Sequence, residues 1–462
     1  MRVKPPVVIP RHGQDLPEKR QQLRSQRAAW LGRIVGDLPL LGRASGAAAE
    51  PPSDSNMSQD IHILTANCGS SSLRFAVYGL GSAERRLLFA RYDGIGLGQG
   101  RCCVQDEEGR LLFESSFSLA DHETAARRFL DWLGSQSFGY RIDGVGHRVV
   151  HGGGRFTEPV MITPVVEEEL GKVGQLDPGH LPPEIRAMRV VKDSFPQLLH
   201  VACFDTSFHR QMPTVARMHP LPRELSEQGV VRYGFHGLSH ESLLQQLGAG
   251  SGASAAEGRI VIAHLGSTAS MAAILGGRSM DTTMGFVPNG GLMMGTRSGD
   301  LCPGVLTHLL LGKNLSAAEV ANLVNRQSGL LGVSGVSRDM GDLLKVAATN
   351  PRAAEAIDLF CYTARKHLGS LAAVLGGLDT LIFTGGIGEN APAIRRRICE
   401  QTEFLGIHLD PSRNRQSSPI ISADDSRVTV RVMATNEELV IARAAGLFVK
   451  ARSEPAQIAV TS

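Results

Sequence analysis

The sequence predicts an α/β protein in which strands and helices alternate along the chain. Short apolar, β-rich runs recur, segments with helical periodicity lie between them, and most of the runs end in glycine or polar residues. The glycine-rich turns at several strand ends lead us to expect two halves with a ligand cleft between them. The predicted strands are Ile61–Ala66, Gly144–Val150, Leu198–Phe204, Arg259–His264, Leu378–Thr384 and Val428–Ala434.

Helices are predicted where apolar residues recur at i, i+3 and i+4. One further helix is expected to begin after Ser316, because Glu319 stands three residues later and the two side chains can form a capping box. The periodic segments are Thr124–Leu133, Pro183–Val191, Glu241–Leu247 and Ala354–Leu375.

Length and composition exclude several classes of protein. The chain has 462 residues, 42% hydrophobic and 20% charged, which is typical of a globular protein with two or more domains. Residues 1–56 carry nine Lys/Arg and five Asp/Glu, so the remaining chain has 39 basic and 40 acidic residues, a net charge of −1. We therefore expect neither nucleic acid nor a membrane as a partner.

The first 56 residues are rich in Arg, Gln, Pro, Ala and Ser, and we expect them to be mostly disordered. Two interpretations stay open: an upstream start codon with Met57 opening the domain, or a basic, transit-like segment. The seven cysteines include no C-x-x-C pair, which is typical of a reducing compartment. We expect a cytoplasmic protein.

Three turns could bind phosphate. Asn67–Ser72 supplies a glycine and three serine hydroxyls, with Arg74 as a nearby cation, although Ser-rich hairpins also form for local hydrogen-bonding reasons. Gly234–Gly237 and His264–Ser270 have a similar character. No G-x-x-x-x-G-K-[ST] loop occurs, so phosphate chemistry would use hairpin turns.

A fourth turn, Thr384–Asn390, ends an apolar strand and is predicted to lead into a helix over Ala393–Ile398. Amide groups at a helix N-terminus favour anions, so a nucleotide can bind there.

Charged residues near glycines suggest a site for anions and a metal. Arg148 and Arg297 each lie in a glycine-rich segment and could hold a carboxylate or phosphate, although a surface ion pair is the commoner role of a single arginine. Asp205 follows a predicted strand, and Glu437 stands at a predicted helix start. Their oxygens suit Mg²⁺, with helix capping as the alternative for Thr435–Glu438.

Taken in order, these segments resemble the acetate kinase family from about Ile61 to Ala445. Eight ordered segments carry the resemblance: Asn67–Ser72, Gly146–Gly153, Phe204–His209, Arg232–His240, Asp281–Asp300, Ser328–Met340, Thr384–Asn390 and Thr435–Arg443.

The resemblance implies a two-domain actin-like ATPase (ribonuclease H-like) fold with a nucleotide cleft between the domains. Residues 57–210 would form the N-terminal domain, with a C-terminal helix at 437–450 packing back on it, and residues 211–436 the nucleotide-binding C-terminal domain. It also implies a homodimer, ATP and ADP with Mg²⁺ or Mn²⁺, and acetate or propionate as the acid.

The resemblance also implies roles for individual residues. Arg148 and Arg297 would grip the acid and the migrating phosphoryl group, and His236 would donate a hydrogen bond to that group. Asp205 and His180 complete the catalytic set, while Asn67 and Glu437 would organise the metal. The acid pocket would be lined by Arg148, Val150, Gly179 and Pro288. The nucleotide would contact residues of several turns and strand ends: Ser72, Arg74, His264, Gly266, Ser267, Thr268, Ala269, Ser270, Asp281, Gly285, Gly385, Gly386, Ile387, Gly388, Glu389 and Asn390.

Three departures from the family pattern leave alternatives open. Ser267-Thr268 replaces the usual Asn-Gly and predicts weaker ATP binding if a left-handed backbone or a close phosphate approach is needed. Gly179 replaces a leucine and predicts a larger pocket that tolerates propionate. Cys302 replaces an acid, with no clear consequence. A propionate or butyrate kinase, or a nucleotide-binding regulatory protein with weakened turnover, remains an alternative to an acetate kinase.

Overall fold

The computed structural model describes residues 60–177 and 179–453. The disorder predicted for residues 1–56 therefore concerns residues outside this description. Within it the chain forms two β-sheets with helices packed on them, which confirms the predicted α/β class. Of the helices in these ranges, none combines the length and the apolar character needed to span a bilayer.

The larger sheet has eight strands: β1 Ile61–Cys68, β2 Ser72–Leu80, β3 Glu84–Asp93, β4 Gly100–Asp106, β5 Leu111–Phe117, β6 Gly144–Val149, β7 Val160–Met161 and β8 Leu199–Phe204. Their order in the sheet is β5-β4-β3-β2-β1-β6-β8-β7. Strands β1, β6 and β8 are parallel neighbours, so their carboxyl ends lie at one edge of the sheet.

The smaller sheet has five strands: β9 Ile260–Leu265, β10 Ala269–Leu275, β11 Arg278–Thr282, β12 Thr380–Thr384 and β13 Thr429–Val432. Their order is β11-β10-β9-β12-β13. Strands β9, β12 and β13 are parallel, whereas β10 and β11 run antiparallel to their neighbours. The ends of β9 and β12 therefore bring His264 and Thr384 side by side in register.

Helices connect the strands and cover the sheets. The longer ones are His122–Gly134, Pro164–Val173, Leu181–Ser194, Gly237–Ser251, Ala317–Arg326, Pro351–Val374, Pro392–Cys399 and Glu437–Ser453. Shorter helices are Thr214–Arg217, Arg223–Glu227, Ala253–Glu257, Pro303–Thr307, Gly329–Ser334, Met340–Val346, Gly385–Asn390 and Pro411–Arg415. Two 3₁₀ turns, Asp205–His209 and Glu403–Leu405, and a π turn, His308–Gly312, complete the elements.

The helix Glu437–Ser453 packs on the larger sheet. Ile441 and Ala445 are buried in one cluster with Ile63 of β1. Gly146 of β6 permits this packing, because a Cβ there would lie 2.5 Å from Cγ2 of Ile441. The packing sets the start of the helix, and with it Glu437, beside the ends of β1 and β6.

Most predicted elements are present, with boundaries shifted by a few residues. All six predicted strands and the four periodic helices occur, and Ser316 and Glu319 form the predicted capping box. One prediction was wrong in part: the helix expected over Ala393–Ile398 is present as Pro392–Cys399, but Gly385–Asn390 before it forms a short helix and not a turn. The glycines allow the helix to begin directly at the strand end. The antiparallel strands β2 to β5 were not predicted.

Candidate active site

The ends of β6 and β8 carry a buried ion pair. Nε of Arg148 donates to Oδ1 of Asp205 at 2.9 Å, and Nη2 donates to Oδ2 at 2.6 Å. The side chains are 12% and 1% exposed, so the pair is shielded from water. The Nη1 group of Arg148 donates to the carbonyl oxygen of Cys68, at the end of β1, at 2.5 Å. Arg148 therefore fastens all three strand ends together.

Asn67 joins this pair to the C-terminal helix. Its Nδ2 donates to Oε2 of Glu437 at 2.8 Å and to Oε1 of Glu438 at 3.0 Å, while its Oδ1 accepts from Nη1 of Arg148 at 3.5 Å. Arg74 approaches Glu438 to 3.7 Å. Asn67, Arg148, Asp205, Glu437 and Glu438 are called the carboxylate cluster below.

Electrostatics separate the two carboxylates next to Arg148. Burial raises the pKa of Asp205, the charge of Glu437 adds to this increase, and Arg148 opposes it. Burial also opposes ionisation of Glu437, but the charges of Arg148, His264 and Arg74 outweigh it and leave the pKa of Glu437 lowered. Glu437 is therefore the carboxylate best suited to stay ionised beside a cation.

The second arginine of the site is oriented by a histidine and an aspartate. Arg297 is buried, and its Nη1 donates to the carbonyl oxygen of Pro288 at 2.6 Å. Its Nη2 contacts Nε2 of His180, whose Nδ1 lies 2.8 Å from Oδ1 of Asp177. Because an arginine can only donate, Nε2 of His180 accepts and Nδ1 carries the proton toward Asp177. The hydrogen bonds from Arg297 to His180 and from His180 to Asp177 fix the orientation of the guanidinium.

The positive charges of the two arginines change the pKa values of groups in the site. Burial lowers the pKa of His180, and Arg297 and Arg148 lower it further, while Asp177 opposes them. Burial lowers the pKa of Arg297 to about 10, with Arg148 contributing and Asp177 opposing. The charge of Arg148 therefore acts on both His180 and Arg297.

The walls predicted for the acid pocket differ in burial. Val150 and Pro288 are buried. Gly179 is exposed, and a Cβ built there would meet only Oδ1 of Asp177, at 3.8 Å. A side chain at position 179 would therefore have room.

His236 begins the helix Gly237–Ser251 in a left-handed conformation, with φ of 59°. Its Nδ1 lies 2.8 Å from Oγ of Ser270, and its Nε2 lies 3.0 Å from Oγ1 of Thr268. Its ring stacks on His264 at 4.1 Å, and Nδ1 of His264 lies 2.9 Å from Oγ of Ser239. Burial and the neighbouring positive charges hold the pKa of His236 well below its usual value, so the ring is a neutral hydrogen-bonding group.

The turn between β9 and β10 lies against the glycine helix Gly385–Asn390. The amide of Gly266 donates to the carbonyl oxygen of Thr268 at 3.0 Å. Gly385 has φ of 79°, and a Cβ there would lie 2.7 Å from the carbonyl oxygen of Leu265. Thr268 is not among the described non-glycine residues with positive φ, so its backbone is not strained. Only the closer approach of a phosphate remains as a reason for weaker nucleotide binding.

The predicted nucleotide residues fall into three places. Those from His264 to Ser270 and from Gly385 to Asn390 meet at the ends of β9 and β12, where Oε1 of Glu389 already accepts the amide of Gly385 at 2.9 Å. Asp281 lies in β11, 3.9 Å from Arg232, whose Nη1 donates to backbone oxygens just before Gly285. Ser72 and Arg74 lie in β2, next to the carboxylate cluster.

Two residues of the site were not found from the sequence. Asp177 orients His180, and Glu184 accepts the amide of Val150 at 2.9 Å. The i, i+3 spacing of Asp177 and His180 could have indicated the first contact. Glu184 looks like an ordinary helix-start residue in the sequence. Glu438, the second acid at the predicted helix start, shares Asn67 with Glu437.

Comparison with known proteins gives consistent matches. The model of the acetokinase family matches residues 62–443. An acetate kinase of Rhodopseudomonas palustris (strain TIE-1) is 46% identical over 386 residues, 82% of this chain and 96% of the relative. The crystal structure of Porphyromonas gingivalis acetate kinase is similar with a TM-score of 0.74 and 36% identity, covering 84% of this chain and 100% of that one. A propionate kinase from Francisella tularensis gives a TM-score of 0.76 at 33% identity, covering 84% and 99%.

Proposed function

The chain belongs to the acetokinase family, and on that premise we propose that it catalyses reversible, Mg²⁺-dependent transfer of a phosphoryl group from ATP to acetate. It is a phosphotransferase with a carboxyl group as acceptor, built on the actin-like ATPase fold. The proposal rests on Arg148 bound to Asp205, on Arg297 bound to His180, and on the neutral ring of His236, whose pKa both arginines lower. These groups can neutralise and orient three charged partners: the acid, the migrating phosphoryl group and the leaving ADP.

Direct in-line transfer needs alignment more than covalent help. The acid is already a nucleophilic carboxylate, so no general base is required. Arg297, oriented through His180 and Asp177, would hold the phosphoryl group. His236 would donate one hydrogen bond to the same group. Asp205 would act by orienting the guanidinium of Arg148, which it binds through both oxygens.

The donor set fits a magnesium ion. Asn67 and Glu437 present hard oxygen atoms, and Mg²⁺ takes one or two carboxylates and completes its shell with phosphate and water. In the described ranges no three His, Cys, Asp or Glu side chains form a ready metal cage. Bound there, the ion would neutralise charge on the phosphate oxygens. Asn67 would keep Glu437 in place through the hydrogen bond that joins them.

The test is formation of an acyl phosphate by the purified full chain. With ATP, Mg²⁺ and acetate, trapping with hydroxylamine should give acetyl hydroxamate in step with ADP release. A regulatory protein would bind ATP, seen as a rise in Tm, without forming hydroxamate. That outcome would reject the enzyme proposal.

We also propose that the pocket accepts propionate, because Gly179 leaves one wall without a side chain. A methylene that became fully buried would be worth about 0.8 kcal/mol, or roughly fourfold in kcat/KM, and the exposure of Gly179 makes this the upper bound. Measuring kcat/KM for acetate and propionate in the native chain and in Gly179→Leu tests this. The Leu variant should lose propionate activity selectively, and a strong acetate preference in the native chain would reject the proposal.

Three further properties belong to the proposal. Residues 57–210 with the C-terminal helix, and residues 211–436, would act as two domains that close on substrate. The protein would be a cytoplasmic homodimer. Limited proteolysis with and without ATP and acetate, and sedimentation of the purified chain, test the first and the last of these.

A further inference from the structure

Glu184 is a buried carboxyl that the proposed mechanism does not use. It lies in the first turn of the helix Leu181–Ser194, four residues after His180, and is 7% exposed. Its Oε2 accepts the amide of Val150 at 2.9 Å. Among the described residues, no Lys, Arg or His lies within ion-pair distance of it.

The charged groups that face Glu184 come from several elements. Arg148 in β6 favours its ionised form, whereas Asp205 after β8 and Asp177 before the helix disfavour it. Cys68 at the end of β1 also feels its charge. Burial is the largest influence and raises the pKa of Glu184 to about 8. The carboxyl is therefore neutral at pH 7 and ionises in mildly alkaline solution.

An acid in the first helical turn often serves only the helix, since a negative charge there is favourable. Two observations argue against that simple role. The carboxyl is buried rather than facing solvent, and its hydrogen bond goes to Val150 in another element instead of to an amide of its own helix. Val150 is the predicted wall of the acid pocket and lies two residues after Arg148.

We propose that Glu184 is a positioning residue whose proton sets the affinity of the acid pocket. In the neutral form it holds Val150 in place without adding charge. In the ionised form its negative charge interacts with Arg148 from beyond ion-pair distance and opposes binding of the substrate carboxylate near that guanidinium. Binding of the acid is then coupled to uptake of one proton from solvent. This inference rests on the proposed function.

The test is the pH dependence of KM for acetate at saturating Mg-ATP, from pH 6.5 to 9.5. Above pH 8 the KM of the native chain should rise by up to tenfold per pH unit, because acetate then binds with uptake of up to one proton. Glu184→Gln keeps an oxygen acceptor for the amide of Val150 but cannot ionise. Its KM should stay within about twofold over the same range, while kcat follows the native profile.

Glu241→Gln is the matched control. Glu241 lies in the helix Gly237–Ser251, and burial raises its pKa as well, but Arg210 and Arg443 are the charges that face it. This variant should keep the native rise in KM. An equal rise in Glu184→Gln would overturn the proposal, since another group would then be responsible.

A measurement on the native chain covers the case in which Glu184→Gln does not fold. Calorimetry of acetate binding at pH 8.5, in buffers of different ionisation enthalpy, should detect uptake of a large fraction of one proton. Uptake of no protons would overturn the proposal. If the native chain forms no acetyl hydroxamate at any pH, the proposed function itself fails, and that outcome is distinct from either result for Glu184.

Discussion

Two buried arginines, Arg148 and Arg395, have opposite kinds of partner. Arg148 pairs through two bonds with Asp205, a carboxylate, in the carboxylate cluster. Arg395, fully buried in the helix Pro392–Cys399, donates only to neutral oxygens at 2.7–3.0 Å: Gly388 O, Glu389 O, Asn414 Oδ1, Asn414 O and Ser417 Oγ. The first arrangement sets a positive and a negative charge against each other in the site, whereas the second uses the planar guanidinium to hold the glycine helix Gly385–Asn390.

The two arginines therefore stabilise their surroundings in different ways. Around Arg148, groups of opposite charge pair with each other. Removal of one charged side chain therefore leaves its partner buried without a counter-charge. Around Arg395 the geometry matters more than the charge, because carbonyl oxygens at the end of a short helix are satisfied there. Four substitutions test this contrast between charge and geometry.

Arg148→Ala should have the largest effect. The variant loses a cation that faces the acid and leaves Asp205 buried without a counter-charge, so kcat should fall by about 10³-fold and the free energy of unfolding by about 3–5 kcal/mol. Steady-state kinetics and urea unfolding measure the two quantities. Arg110→Ala, which removes an exposed arginine that pairs with Asp106, is the control and should leave kcat unchanged. A kcat within tenfold of the native value would show that the cluster is not catalytic.

Arg395→Lys tests whether charge or geometry matters at the second arginine. A lysine keeps the charge but cannot reach the same set of acceptors, so the free energy of unfolding should fall by about 2–3 kcal/mol as buried carbonyls lose their donors. KM for ATP should rise, while KM for acetate stays within about twofold. Native stability and kinetics in the lysine variant would mean that Arg395 acts through its charge, which would contradict the proposed role of its geometry.

Gly385→Ala tests the close packing of the glycine helix on β9. The left-handed φ and the 2.7 Å approach to Leu265 both oppose a Cβ. We expect KM for ATP to rise about tenfold, equivalent to about 1.4 kcal/mol. Gly369→Ala is the matched control, because nothing lies within 4 Å of a Cβ at that helical position. Equal kinetics in the two variants would contradict the packing argument.

Thr268→Gly should have the smallest effect. Its side chain narrows the turn where phosphate is expected, so removal should lower KM for ATP by about threefold, a change of under 1 kcal/mol. The variant also removes the contact between Oγ1 and Nε2 of His236, which is 3.0 Å long. Thr268→Ser keeps the hydroxyl and separates the two effects. No improvement in KM with either variant would count against a steric role for Thr268.

Strands that can be recognised from their own run of apolar residues were predicted well. The apolar runs that became β1, β6, β8, β9 and β12 are buried on both sides of their sheets, and a continuous apolar pattern reports such strands directly. The half-exposed strands β3 and β5 alternate less clearly, because charged side chains such as Arg85 and Glu114 interrupt them. Their own residues therefore show only a weak strand pattern, because these strands are stabilised by pairing with their antiparallel neighbours in the folded sheet.

The site was predicted in part. Glycine next to arginine pointed to Arg148 and Arg297, whose roles stay predictions until they are tested. Glu184 could not be recognised, because an acid at a helix start is ordinary in a sequence. Its burial and its contact with Val150 depend on how the helix Leu181–Ser194 lies against β6.

The alternation of strands and helices, the capping of helices and the turns at strand ends could be predicted from the amino-acid sequence, since each depends on residues a few positions apart. Which charged side chains meet depends on the tertiary structure. Asn67 and Glu437 are 370 residues apart in the chain and 2.8 Å apart in space. Their contact requires both the parallel order of β1, β6 and β8 and the packing of the last helix on that sheet. No local pattern can specify such a contact, because the energy that places it comes from burying apolar side chains far from the site.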